Sequence, residues 1–301
     1  MARTVRPAGS EIAGSDDMSR DAARLSATET ERRAYRKKQS VRSVFVSCAS
    51  LAAFSFAVYI TLSRSEGWTR VRNTFFDPHY FADSLPSVFH GLLTNLRVLF
   101  FAVLGVAALG TLIAVTRTTV SPVLFPLRAL ATVYTDIFRG MPMIIVLYLI
   151  GFGIPGLRIF GRIDATLLGT IAVILVYSAY VAEVIRAGIE AVHPSQRAAA
   201  RSLGLTHSQT VRIIVLPQAV RKVVPALMND FVAMQKDVGL VSVLGAIDAV
   251  RSAQIAVAKS YNFTPYVAAG LMFILMSLPF IHLTDWYAAR LKRREQAGGA
   301  V

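Results

Sequence analysis

The residues able to do chemistry in this chain sit almost wholly within or beside apolar runs, in close pairs. Asp136 and Arg139 are spaced i,i+3 just ahead of Gly140 and Pro142, and Glu183 and Arg186 repeat that spacing further on. Residues three apart meet on one helix face, so each pair can form an ion pair. Glu183 with Arg186 reads as an interfacial ion pair holding a helix end. A proline two residues past a glycine, as in Gly140 and Pro142, predicts a bent or broken helix of the kind that faces a pathway in transporters. That places Asp136, Arg139, Gly140 and Pro142 on a candidate substrate pathway, since an ionisable group at membrane depth is a functional hypothesis by default. Arg139 has two readings, a substrate contact or a structural salt bridge, and the salt bridge is the plainer. Lys236 and Asp237 are adjacent and cannot share a helix face, so they are expected to tether different neighbours near an outer mouth, on the same candidate pathway.

Covalent and metal chemistry find no support in the same residues. His79, His90, His193, His207 and His282 show no ligand spacing, so no metal site is expected. Cys48, the single cysteine, lies inside an apolar run and excludes an internal disulfide. Ser178 lacks the glycines of a nucleophile elbow. The chain contains no G-x-x-x-x-G-K-[ST] phosphate loop, so it cannot hold ATP in that manner. A membrane-embedded enzyme would need paired carboxylates or His/Asp clusters at depth, and none has convincing spacing.

These groups must be positioned by membrane helices. The 301-residue chain is 54% hydrophobic, outside the ordinary soluble range. Its net charge of +14 could suggest nucleic acid, but the apolar runs make the charges topology signals instead. Ser43–Ser63, Val98–Thr116, Gly140–Leu157, Ala165–Ala182 and Ser260–Thr284 each approach the ~20 residues that cross a bilayer core. A sixth, Ile213–Gln235, is interrupted by Arg221, Lys222 and Asp230 and by Pro217 and Pro225. Parity admits it as a crossing partly lined by protein. The fold class predicted is an all-α integral membrane protein with about six transmembrane helices. With that topology 22 Lys/Arg fall inside and seven outside, putting both termini and the central loop in the cytoplasm. Residues 1–41 read as a disordered cytoplasmic arm, 42–64 as the first crossing, 86–291 as a five-helix core containing the loop 186–217, and 292–301 as a cytoplasmic tail.

The central loop is the longest polar interruption after the arm. His193-Pro194 can open a short helix, Pro standing where its missing N–H is not needed. Ala198, Ala199 and Ala200 propagate it, and Gly204 can end it in a left-handed cap. Thr206 with Gln209 is a capping-box pattern starting a second helix, and Pro217 marks the return to an apolar phase. The series Ala198-Ala199-Ala200, Gly204, Ile214, Leu216-Pro217 resembles the cytoplasmic "EAA loop" of bacterial ABC-importer permeases, every gap matching, with Ala198 where the family has Glu. Gly91-Leu92-Leu93-Thr94, Phe138-Arg139-Gly140-Met141-Pro142, the run Glu183, Arg186, Gly188, Ile189, and Leu216-Pro217-Gln218-Ala219 resemble the polar amino-acid branch of that family. Lys236-Asp237-Val238-Gly239-Leu240 resembles its Lys-Asp-Thr-Ser-Leu run with both hydroxyls lost.

The resemblance covers about Pro86 to Leu291. It implies a permease subunit in the bacterial inner membrane, not an enzyme, that moves polar amino acids delivered by an extracytoplasmic binding protein. It further implies a second permease chain, the same or similar, and a pair of ATPase subunits that carry ATP and Mg and dock on the loop around Pro194–Gly204; this chain binds no cofactor and no nucleic acid. The alternative is an ion-coupled secondary transporter, which would function without an ATPase and gives no reason for the loop's spacing.

Overall fold

The computed structural model describes residues 42–119, 121–159 and 161–298, together with Arg32, Tyr35 and Gln39. Apart from those three helical positions, the arm at residues 1–41 lies outside the described residues. The chain divides into two units, Met1–Arg70 and Val71–Val301. The first holds helix α1, Arg42–Ser63, whose apolar window buries none of its surface within the protein. Such a helix is complete in lipid, because every backbone bond is internal to it. The division falls inside the short helix α2, Trp68–Phe75.

The second unit is built on α3, Pro78–Thr118, and α6, Ala165–Glu190, which pack along one another. Asp77 and Asp164 cap their N-termini by accepting backbone N–H bonds from residues two and three positions on. Their shared core gathers Val98, Ala102 and Val106 against Ala172, Val173 and Val176, closed by Val146, Leu147, Val238 and Val241. Helix α3 begins well before the apolar run at Val98 because helix continues through the polar residues of the membrane interface, where hydropathy gives no signal.

Two apolar stretches are bent helix pairs rather than single helices. Helix α4, Phe125–Gly140, meets α5, Met143–Gly156, at 109°. Met141 stands extended between them at ψ 137°, as a residue before proline must, and Pro142 has no N–H with which to continue α4. The broken helix expected at Gly140 and Pro142 is therefore present. After the loop, α7 (Pro194–Ser202) and the three-residue α8 (His207–Gln209) lead through a π-helical stretch, Thr210–Val215, into α9, Leu216–Asp237. Leu216 donates its N–H five residues back to Val211. This wider turn lets helix run through Pro217, whose ring would clash with the carbonyl four residues back in a regular α-helix. Pro217 thus stands in the first turn of a continuing helix. A 3-10 stretch, Val238–Leu244, then Gly245 at φ +89°, bends α9 by 49° from α10, Ala249–Ser260. Tyr261 at φ 54° ends α10, and α11, Thr264–Gly298, follows without a break past Thr284. Among the described residues four helices are long and apolar enough to cross a membrane, six when each bent pair counts as one span.

The bend after α9 is held by Asn95, which is 1% exposed. Its Nδ2 donates to the Val238 carbonyl at 3.1 Å and to Asp248 Oδ2 at 3.0 Å, and its Oδ1 accepts from the Ala249 N–H at 3.0 Å. One turn earlier Gly91 lies against the Asp248 backbone so closely that a Cβ would overlap it, which is the physical content of the Gly91-Leu92-Leu93-Thr94 run. Asn95→Leu is expected to destabilise the protein by about 2–4 kcal/mol, since it orphans a buried carboxylate oxygen, a carbonyl and an N–H. Thermal unfolding in detergent checks this, and an unchanged midpoint refutes it.

Candidate functional site

The residues singled out from the sequence fall in two places of the second unit: the loop between α6 and α9, and the space where α4, α5, α6 and α9 converge.

The loop is a packed and tethered body. His193 accepts the Ser195 N–H at its Nδ1 and so caps α7, with Pro194 at the first helical position. At the other end Gly204 stands at φ +83°, its N–H bonding to Arg201 O at 2.9 Å, while Leu205 N–H reaches Ala200 O at 3.2 Å. These two bonds satisfy orphan carbonyls in the Schellman manner. Thr206 and Gln209 exchange side-chain and backbone bonds as a capping box. Both helix starts and the glycine cap therefore stand where the sequence puts them. The second helix differs, being one turn of α-helix, then π-helix, then α9, for the reason that Pro217 supplies.

Two cations fasten this body to the bundle. Arg197 of α7 donates to the Ile189 carbonyl at 2.6 Å, and Lys222 of α9 donates to Ala191 O at 2.7 Å. Both neutralise carbonyls at the C-terminus of α6, where the helix dipole favours positive charge. Beneath them Val192, Val215 and Ala219 pack with Ile189. Of the motif residues, Ala200 is buried and Ile214 half-buried, while Pro194, Ala198, Ala199, Leu216 and Pro217 are exposed. Leu203, at the tip beside Gly204, is 83% exposed. Ala198, Ala199 and Leu203 are uncovered beside the equally exposed Ser195, Gln196, Arg201 and Ser202, so the outer face of α7 mixes small apolar and polar groups.

Above the loop, Glu183 joins three helices. Its Oε1 lies 2.5 Å from Arg186 Nη2, and its Oε2 lies 2.7 Å from Arg117 Nη1 on α3 and 3.6 Å from Arg139 Nη1 on α4. Arg186 also reaches Glu190 at 2.6 Å. The expected Glu183–Arg186 pair is present, but two of its partners come from elements distant in sequence. Arg139 points to Glu183, and among the described residues no ion pair joins it to Asp136, which is exposed. Nearby, Tyr134 donates to Leu175 O at 2.7 Å and lies at that same distance from Ser178 Oγ, fixing α4 on α6.

Further along α6, Met141, Pro142, Met143, Val176, Tyr177, Tyr180, Asp230, Ala233 and Asp237 enclose a cavity of about 300 Å³. Asp237 accepts a hydrogen bond from Tyr177 at 2.8 Å, whereas Asp230 Oδ2 is buried without a partner among the described residues. Tyr177 and Asp230 also line a second, largely apolar cavity of about 280 Å³ between α3, α6 and α9. Of the candidate pathway residues, Pro142 and Asp237 line the first cavity; Arg139 and Gly140 stand just ahead of its wall, and Lys236 turns outward. Tyr177, Tyr180 and Arg117 escaped sequence reasoning, since a tyrosine or a terminal arginine in an apolar helix carries no spacing signal. Asp230 did carry one, as a carboxylate interrupting an apolar run. Among the described residues no three His, Cys, Asp or Glu side chains come together as a metal site would need.

Residues 122–296 match the sequence profile of a family described as the binding-protein-dependent transport system inner membrane component. The chain is 31% identical over 214 residues to the probable glutamine ABC transporter permease protein GlnM of Bacillus subtilis, covering 71% of this chain and 95% of that protein. It is 32% identical over 213 residues to the arginine transport system permease protein ArtQ of the same organism, covering 70% and 95%. Among solved structures, an amino acid ABC transporter crystallised with histidines superposes with a TM-score of 0.63 at 36% identity, covering 68% of this chain and 94% of that one. A bacterial ABC transporter involved in importing the acidic polysaccharide alginate gives 0.52 at 13% identity and shows the fold alone.

Two outcomes follow from this geometry. A Cβ at Gly204 meets nothing within 4 Å, so Gly204→Val acts through the backbone alone and strains the cap by about 1–2 kcal/mol. Amide exchange at Leu205 should accelerate in that variant and stay near normal in Gly204→Asn; equal exchange in both refutes the cap. Glu183→Ala, which leaves the half-buried Arg117 and Arg186 guanidinium groups without this carboxylate, is expected to cost about 1–3 kcal/mol. Arg139→Gln, which removes the longest of the contacts from a partly exposed side chain, should cost under about 1 kcal/mol. Detergent melting curves that rank the two variants the other way would overturn this account of the cluster.

Proposed function

The chain belongs to the family of binding-protein-dependent transport system inner membrane components, and from that premise we propose that it is the permease of an ATP-driven importer of polar amino acids. The observation that carries the proposal is the loop: a capped helix, uncovered on its outer face and tied by Arg197 and Lys222 to the end of α6. It is a transport subunit and a multi-pass inner-membrane protein. The Lys/Arg asymmetry supports cytoplasmic termini and a cytoplasmic loop.

ATP and Mg belong, in this reading, to a pair of separate ATPase subunits. They dock on α7, with Ala198, Ala199 and Leu203 as the contact face and Gly204 setting its angle. A second permease chain, the same or similar, completes the pore, and an extracytoplasmic binding protein delivers amino acid to the outer face. Closure of the ATPases pushes α7, and the push reaches α6 and α9 through the two cation tethers and the Val192–Val215–Ala219 packing. Those helices carry Tyr177, Tyr180, Asp230 and Asp237, so movement at the loop reshapes the cavity they line. Because the two access states differ in how they hold substrate, ATP shifts a population between them. The relatives' names, for glutamine and for arginine, support amino acids as the substrate class. Family membership favours this reading over ion-coupled secondary transport.

The test is purification of the tagged chain from solubilised membranes, with ATPase activity measured on the eluate. An ATPase should co-elute, and its turnover should rise with a binding protein plus one amino acid. Gly204→Val should reduce that stimulation several-fold. A chain that elutes without an ATPase yet takes up amino acid on an ion gradient would defeat the proposal.

A further inference from the structure

The cluster around Glu183 carries more positive charge than its carboxylates balance. Three guanidinium groups, from Arg117, Arg139 and Arg186, converge on one carboxylate, and Glu190 supplies a second only to Arg186. Glu183 Oε2 is shared by Arg117 at 2.7 Å, Arg186 Nε at 3.1 Å and Arg139 at 3.6 Å. One oxygen cannot serve three donors at full strength, and Arg139 is the donor left at the longest distance. Arg117, whose side chain is 10% exposed, also keeps a buried Nε without an acceptor among the described residues. With Arg117 half-buried and Arg139 partly exposed, water meets part of this surplus, and an anion that reaches Arg139 can replace that water.

The surplus stands beside the cavity. Arg139 precedes the wall formed by Met141, Pro142 and Met143, and Tyr180, itself in that wall, directs its hydroxyl to the Arg139 carbonyl at 3.4 Å. The Arg139 side chain is 40% exposed, the most open of the three. A guanidinium with free donors in a planar fork is matched to a carboxylate, which it can hold through two parallel bonds. The cavity itself is lined by two carboxylates, Asp230 and Asp237, so a substrate whose ammonium group faces them is left with a carboxylate for Arg139 to take.

Resting on the proposed function, we propose that Arg139 is a specificity residue: it takes the α-carboxylate of the transported amino acid as the substrate leaves the cavity toward the loop side, Glu183 holding the guanidinium in reserve until then. Arg117 and Arg186 keep Glu183 in place when Arg139 lets go, so the helices stay joined during the exchange.

The test measures direct binding to the detergent-solubilised complex of the chain with its ATPase, in the absence of binding protein, because a binding protein would screen ligands first. The probes are radiolabelled arginine and glutamine, displaced by the unlabelled amino acids and by their α-carboxamides, which lack the carboxylate charge. Arg139→Gln should weaken binding of the parent amino acids by about tenfold or more, the worth of one charge-assisted contact. The carboxamides should bind the variant and the wild type alike, and Arg139→Lys should recover part of the loss. Equal weakening of parents and carboxamides marks a merely structural residue and overturns the inference, as does unchanged binding, or no binding of either probe by the wild-type complex. Repeating the ATPase assay in vesicles with and without phosphatidylglycerol covers the other source of an anion. If Arg139→Gln abolishes a dependence on that lipid while sparing the carboxylate preference, the site belongs to a headgroup and the inference fails. Each of these failures leaves ATPase co-elution, and with it the proposed function, standing; loss of co-elution in the wild type would remove both.

Discussion

A carboxylate inside a membrane protein must be matched by cations, and Glu183 meets that demand by drawing Arg117, Arg139 and Arg186 from three helices. Much else depends on this. The contact with Arg117 holds α6 to α3 at the end where apolar packing thins to Ile113, Ala114 and Ala182. The contact with Arg139 holds the end of α4 near the break at Met141, so the bend that opens the cavity is anchored on its inner side. Charges of this kind are expensive to leave unpaired, and Arg117 and Arg186 keep Glu183 paired whether or not Arg139 is in contact.

The cluster also lies between the two functional regions. About two turns beyond Glu183 the end of α6 receives Arg197 and Lys222, and the loop hangs from it. Within about two turns before Glu183, Tyr177 and Tyr180 line one cavity with Asp237, Asp230 and Pro142. A single helix therefore carries the capped loop at its end, the ionic junction within its last turns and the cavity wall near its middle. This one unbroken helix joins the loop to the cavity wall. Close packing of Gly188 on Val223 and of Gly169 on Val241, where a side chain would overlap its neighbour, holds α9 and the stretch after it against α6.

How much of this could be read from residues alone depends on how far each signal travels along the chain. The loop was legible nearly to the atom, because caps and glycine turns are local: His193-Pro194, Gly204 and Thr206 with Gln209 act on backbone groups within five residues. The break at Gly140 and Pro142 was legible for the same reason, since proline restricts its immediate neighbours. The pairing of Arg139 with Asp136 was expected on equally local grounds and is not among the ion pairs of the described residues, because a half-buried glutamate on another helix competes better than an exposed aspartate on the same one. Helix limits were less legible, since α3 and α11 run far beyond their apolar stretches while hydropathy registers only the lipid-facing part.

By itself the sequence determined an all-α membrane protein with four to six candidate crossings and a capped helical body between α6 and α9. These follow from hydropathy, chain length and short-range hydrogen bonding. Only the tertiary structure decided that Asn95 clasps Asp248, that Arg117 and Arg139 share Glu183, and that Pro142 and Asp237 face one cavity with Tyr177. Such contacts join residues tens to more than a hundred positions apart. Their partners are chosen by which helices pack together, and no spacing along one chain records that choice.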